Sequence, residues 1–167
     1  MSKKVLVTYA SKYGATAEIA EKIAEMLKEN SCEVELKSAG EVGDVTPFDA
    51  VVAGSALYAG FWRKDLVRLL EKYAGELAEK KVWLFISGPT GEEDAEKQME
   101  GRLFPPKLQP VIDTCSPVEL KVFHGAAMAD KMSSFDKWVM KKVKAPLGDF
   151  RDWDAIEKWA KEIAKNL

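Results

Sequence analysis

Apolar positions along the chain switch between two periods. Lys4 to Tyr9 is a short β-branched run and predicts a buried strand. From Gly14 to Asn30 the period lengthens. Ile19, Ile23 and Leu27 recur four apart, with Ala20 and Ala24 beside them and Glu18, Glu21, Lys22, Glu25 and Lys28 on the other face. This predicts an amphipathic helix that stops at Asn30. Glu33 to Lys37 alternates charged and apolar residues, as a half-buried edge strand does. Gly40, Gly43 and Pro47 make Ala39 to Asp49 a loop. Ala50–Gly54 and Lys81–Ser87 have almost no polar face, which suits central parallel strands covered on both sides.

The remaining elements follow the same rules. Lys64 to Tyr73 predicts a helix with Leu66, Leu69, Leu70 and Tyr73 inward. Gly88 to Pro117 is irregular, with four prolines after Gly101 and room for two short helices. Pro117 to His124 predicts the last strand. Phe135–Val143 and Trp153–Lys165 predict helices, the second capped by Asp152 with Ile156, Ala160 and Ile163 as its stripe. Strand then helix, five times over, predicts an α/β domain across residues 1–167, with a five-stranded parallel sheet and right-handed crossovers. Ligands of such sheets bind beyond the carboxyl ends of the strands. The segments to read for function are therefore 10–16, 55–63, 87–96 and 125–134.

Composition narrows the class. A balance of 25 basic and 27 acidic residues leaves -2, too near neutral for a generic nucleic-acid binder. The longest uncharged stretch, Ala50–Trp62, falls short of a membrane span. Met1–Val5 carries no cleavage-site pattern, so no leader is expected. Cys32 and Cys115 stand far apart, which fits two free, inert thiols in a reducing cytoplasm. A single histidine, His124, excludes a His-rich zinc site and reads as a strand-end core residue.

Three segments offer chemistry. Ser11, Lys12, Tyr13, Gly14, Ala15 and Thr16 join strand one directly to helix one. Two hydroxyls, a tight turn and a helix N-terminus suit one phosphate, although an ordinary N-cap uses the same residues. Neither GxxxxGK[ST] nor GxGxxG is present, which excludes the commoner nucleotide readers. Ala56, Leu57, Tyr58, Ala59 and Gly60 lead into Phe61 and Trp62. Small residues between aromatics admit a flat ligand, and Tyr58 is the preferred contact. At least one of the three aromatics is expected to staple the next helix to the core. Ser87, Gly88, Pro89, Thr90 and Gly91 form a turn whose amides can bond the polar edge of a ring, and the acidic run Glu92–Glu96 follows.

These residues carry a resemblance. Tyr9–Thr16 with Glu18, Ile19 and Ala20 resembles the FMN-phosphate loop and first helix of flavodoxins. Within that superfamily the likeness is strongest to the flavodoxin-type, menaquinone-dependent protoporphyrinogen IX dehydrogenases. It rests further on Val51–Ala56 with Tyr58 and Gly60, on Phe123–Ala126, and on Asp136, Met140, Asp152 and Trp153. The resemblance implies a flavodoxin-like sheet of order 2-1-3-4-5 and one FMN. Ser11–Thr16 would hold its phosphate, and Ala56–Gly60 with Gly88–Gly91 its isoalloxazine. Two segments differ from the porphyrinogen enzymes. Those enzymes carry several Tyr and Arg residues where this chain reads Ala127–Met132, and they tend to be basic where it reads Glu92–Glu96.

The implied function is an FMN-binding redox protein carrying electrons between a donor and an acceptor, with a partner protein or a quinone on one side. A quinone-linked protoporphyrinogen dehydrogenase and a non-redox binding module are the alternatives. Lys12, Arg63 and Lys64 near the site lead to the expectation of a raised two-electron potential, because a cation favours the anionic reduced ring. Finally, five lysines against Asp136 leave residues 131–144 at +4, with Trp138 and Met140 interleaved. The favoured expectation is a solvated basic face with Phe135, Val139 and Val143 packed inward. The alternative is a helix lying on an anionic membrane near a lipid-soluble quinone.

Overall fold

The computed structural model describes residues 2–167; Met1, where the leader reading begins, lies outside them. Five parallel strands form the sheet: β1 (Lys4–Ala10), β2 (Glu33–Ser38), β3 (Ala50–Tyr58), β5 (Lys81–Ser87) and β6 (Glu119–Phe123). Their order is β2-β1-β3-β5-β6, which in parallel-strand count is the expected 2-1-3-4-5. Register is continuous across the centre, with Leu6 opposite Val51 and Val51 opposite Val82. One element was not foreseen. Strand β4 (Phe61–Trp62) turns back antiparallel on the end of β3, pairing Leu57 with Trp62 and Tyr58 with Phe61. Its turn residues Ala59 and Gly60 are both left-handed, at φ 50° and 81°, as a type I′ hairpin requires.

The central strands are apolar on both faces because both faces are covered. Val5, Val7, Val52, Trp83 and Phe85 point into one core, against Ile19, Ile23 and Leu27 of α1 (Ala15–Glu29) and Ile156, Ala160 and Ile163 of α7 (Trp153–Asn166). Leu6, Val51, Val82, Leu84 and Ile86 point into the other. There they meet α2 (Lys64–Lys72), α3 (Ala74–Ala78) and α5 (Gln109–Cys115) through Leu66, Leu70, Leu77 and Ile112. Successive strand residues face opposite cores, and each fully buried Leu or Phe contributes about 2 kcal/mol. Phe85, Phe123 and Trp159 pack edge-to-face with centroids 5.4 to 6.1 Å apart. Asp152 caps α7 by accepting from the Ala155 amide, as its sequence position predicts.

Three further elements lie at the carboxyl end of the sheet. These are α4 (Ala95–Gln98), α6 (Ser134–Lys142), and a small ribbon of β7 (Ala126–Ala127) against β8 (Gly148–Asp149). Helix α6 corrects the favoured expectation for the basic segment. Phe135 and Val143 are each 66% exposed and Trp138 is 54% exposed. The residue that α6 buries is Asp136. The physical reason is chemical: three donors from other loops converge on that carboxylate, and only one face of the helix can meet them.

Candidate functional site at the carboxyl ends of the strands

Strand β1 ends at Ala10, and the loop to α1 turns at once. Gly14 stands at φ 92° and donates its amide to Ser11 Oγ at 2.9 Å. That bond closes the loop and sets Gly14 at the helix boundary. No side chain caps α1, so its first-turn amides face outward from the helix end with the positive end of its dipole. Thr16 is buried beside them.

A slot opens against this loop. Its walls are Ser11–Tyr13, Ala15 and Thr16 on one side, and Ala56–Tyr58 from the end of β3. Ser87, Gly88 and Thr90 after β5 close it further, with Gly125–Ala127 after β6 and Met132 and Met140 from the α6 region. The lining is mostly apolar, with polar groups at the ends. Thr90 Oγ1 is buried in this wall without a hydrogen-bond partner among the described residues. Such an orphan costs about 1–3 kcal/mol unless a ligand satisfies it.

Lys12, Tyr13 and Tyr58, all of which line the slot, converge on Asp136. Lys12 Nζ lies 2.7 Å from Asp136 Oδ2 and 3.8 Å from the centre of the Tyr58 ring. Both tyrosine hydroxyls donate to the two carboxylate oxygens. The free space in the slot is about 80 Å³. That is well below the roughly 300 Å³ at the lower end for ligand pockets. A ligand larger than this space needs wall side chains to move, and Lys12 and Tyr58 are among those lining the slot. The Lys12 charge is also balanced by Asp136, and neither Arg63 nor Lys64 lines the slot. The surplus positive charge behind the raised-potential expectation is thus absent from the slot.

Eleven of the sixteen residues singled out in sequence line the slot; the other five shape it or lie beside it. Gly14 makes the turn. Ala59 forms the β3–β4 turn, and the Pro89 carbonyl accepts from the Gly125 amide at 3.0 Å. Gly60 lines a larger groove of about 660 Å³ beside the slot, with Phe61, Met99, Leu103, Phe104 and Arg102, and Leu57 forms the partition. Gly91 lies on an open shelf with His124, Phe150 and Arg151. Sequence reasoning marked 125–134 as a segment to read for function but named none of Gly125, Ala126, Ala127 and Met132 as a ligand contact, and it did not place Met140 in the site. For Gly125–Ala127 the available signal was their position just after the last strand; Met140 lies on α6 and had none.

The aromatics separate as expected in part. Trp62 is the staple: it is buried, packs edge-on to Phe104 and donates its indole N–H to the Leu103 carbonyl at 3.0 Å. Phe61 is exposed. His124 is half-buried rather than a core residue, because its Nε2 sits 2.6 Å from the Glu93 carbonyl. Cys32 and Cys115 are both free, and burial raises both thiols above their ordinary range. Arg151 ties the far edge of the site to α1. It bonds Asp149, Glu18 and the Ala15 carbonyl, and its guanidinium holds the Asp149 carboxyl below the usual carboxylate range. Among the described residues no acidic, His or Cys cluster could hold a metal, and no helix is long and apolar enough to cross a membrane.

The arrangement can be set beside known proteins. No curated protein sequence matches at a significant level. Solved flavodoxin structures share the fold over nearly the whole chain. Oxidised flavodoxin 2 from Bacillus cereus is 20% identical with a TM-score of 0.63, over 98% of this chain and 99% of that one. The flavodoxin of Streptococcus pneumoniae TIGR4 is 17% identical with a TM-score of 0.62, over 98% and 99%. Two-electron reduced Megasphaera elsdenii flavodoxin is 19% identical with a TM-score of 0.59, over 96% and 98%. At these identities the likeness establishes the fold. Family membership comes from the sequence itself, whose residues 6–154 match the flavodoxin domain: the chain belongs to the flavodoxin domain family.

Proposed function

We propose that the chain binds one FMN in the slot and uses it to carry electrons between a donor and an acceptor. FMN is the cofactor its family implies. The observation that carries the reading is the uncapped first turn of α1 beside buried Thr16, at the end of a largely apolar slot. That donor set fits a phosphate monoester, and the orphan Thr90 hydroxyl offers a bond to the polar edge of a ring. Bound FMN supplies the one- and two-electron chemistry. The chain's own residues bind and orient it: Ser11–Thr16 at the phosphate, Ala56–Gly60 and Ser87–Gly91 at the ring. The exposed acidic run at Glu92–Glu96 favours docking of a basic redox partner at the rim.

The first test is the visible spectrum of the purified protein with identification of any released pigment. Thr16→Val is expected to weaken FMN at least about tenfold, the value of one hydrogen bond to a charged group. Riboflavin, which lacks the phosphate, should bind both forms alike. A protein that is colourless and takes up neither ligand overturns the reading and leaves a non-redox binding module.

The groove beyond Leu57 favours a second reading. It is large, mostly apolar and separated from the slot by one side chain, as a substrate seat beside a flavin would be. A quinone-linked dehydrogenase of the protoporphyrinogen type needs such a seat. Steady turnover with a quinone and no protein partner would favour it over the carrier.

A further inference from the structure

The outward face of α6 has no partner in the fold. Among the described residues, seven large apolar side chains are markedly exposed, and five fall within 128–147: Met128, Phe135, Trp138, Val143 and Leu147. Two of them, Phe135 and Trp138, form a contiguous apolar pair on the outward face of α6. Phe135 and Trp138 stack on each other, with centroids 6.0 Å apart and planes 28° from parallel. Lys142 lies over the Trp138 ring. At about 100° per residue, Trp138 falls nearly opposite Asp136. Phe135 and Lys142 then lie on one side of it, and Lys137 and Lys141 on the other.

Within α6 itself every exposed charge is positive, Lys137, Lys141 and Lys142, with exposed Asp130 lying in the turn before the helix. Asp136 is buried and paired with Lys12, so it offsets none of the five lysines between 131 and 144. Aromatics at the crest with lysines on both flanks are the arrangement of a helix lying in a bilayer interface. The rings sink to the headgroup level while the ammonium groups meet lipid phosphates. Phe135 and Trp138 line neither the slot nor the groove beside it. A fluid anionic surface needs no pocket there to hold an anchoring side chain.

We propose that α6 is a docking surface for an anionic lipid bilayer, holding the protein against the membrane without entering it. The proposal goes beyond flavin binding and does not depend on it. Met132 and Met140 of the same segment line the slot from the opposite, inward side, so docking through Phe135 and Trp138 would leave the slot lining uncovered by lipid.

The test is flotation with phosphatidylcholine vesicles, with and without phosphatidylglycerol, on protein loaded with FMN and stripped of it. Flotation is expected only with phosphatidylglycerol, in both protein forms, and should weaken as salt is raised. Lys137→Glu with Lys141→Glu should lower partitioning at least about tenfold, at several-fold per lysine. Phe135→Ser with Trp138→Ser should lower it comparably. All four side chains are exposed, so far-UV circular dichroism should be unchanged. A blue shift of tryptophan emission on vesicle addition should vanish in Trp138→Phe. Absence of flotation overturns the proposal, as does equal flotation with neutral vesicles or flotation that Phe135→Ser with Trp138→Ser leaves unchanged. Capture by poly-glutamate without flotation would assign the face to an acidic protein and overturn it equally.

Discussion

Replacing Asp136 with alanine is expected to cost about 2–3 kcal/mol of stability. The carboxylate is buried and accepts from Tyr13, Tyr58 and Lys12, which come from the loop after β1 and the end of β3. Removing one partner of a buried charge pair leaves the other uncompensated and typically costs about 3–5 kcal/mol. Lys12 is partly exposed and recovers some hydration, which places the expected value at or below the lower end. Denaturant titration of Asp136→Ala against Asp136→Asn checks this. Asparagine keeps the volume and one acceptor oxygen, so it should cost less. Asp136→Ala should also bind FMN faster in stopped-flow, because Tyr58 and Lys12 no longer share an acceptor. An unchanged denaturation midpoint would show that the network contributes nothing net.

Gly54→Ala is expected to be the most damaging single-methyl change in the sheet. A Cβ at Gly54 would overlap the Phe85 ring. Phe85 is fully buried and held edge-on by Phe123 and Trp159, so the ring has no free direction in which to yield. Overpacking at a rigid site costs about 3 kcal/mol or more, which for a domain of this size lowers Tm by roughly 6–12 °C. Thermal unfolding followed by circular dichroism measures it. Adding Phe85→Leu should return part of the loss, and the double-mutant cycle should show a coupling of about 1 kcal/mol or more. A Tm within 2 °C or so of the parent would mean that the ring relocates freely.

The sheet was legible because its physics is local. Val5 to Val7, Val51 to Ala53 and Val82 to Ile86 are apolar at every position, and only a strand covered on both faces tolerates that. Helix α1 was legible from its stripe and α7 from its cap. The turn at Ser11–Gly14 was legible because strand, turn and helix follow one another without a gap. What sequence hid was set by distant partners. Nothing near Asp136 announces that Tyr13 and Tyr58, 123 and 78 residues away, will donate to it. Periodicity alone places Phe135 and Val143 inward, and the buried carboxylate turns the helix the other way. Strand β4 was hidden because two residues show no period, although Ala59–Gly60 is a hairpin turn in retrospect. The slot's far wall, at Gly125–Ala127, comes from backbone that a single sequence marks only by its place after a strand.

Helix α6 shows one face to the slot and another to solvent, and that double aspect has a thermodynamic corollary. If filling the slot turns Tyr58 off Asp136, the helix loses one of the bonds that fix its position. Any ligand of the outer face that responds to that change must, by reciprocity, alter FMN affinity by the same factor by which FMN alters its own. One carboxylate then couples two binding equilibria, and the size of that coupling can be read from either side.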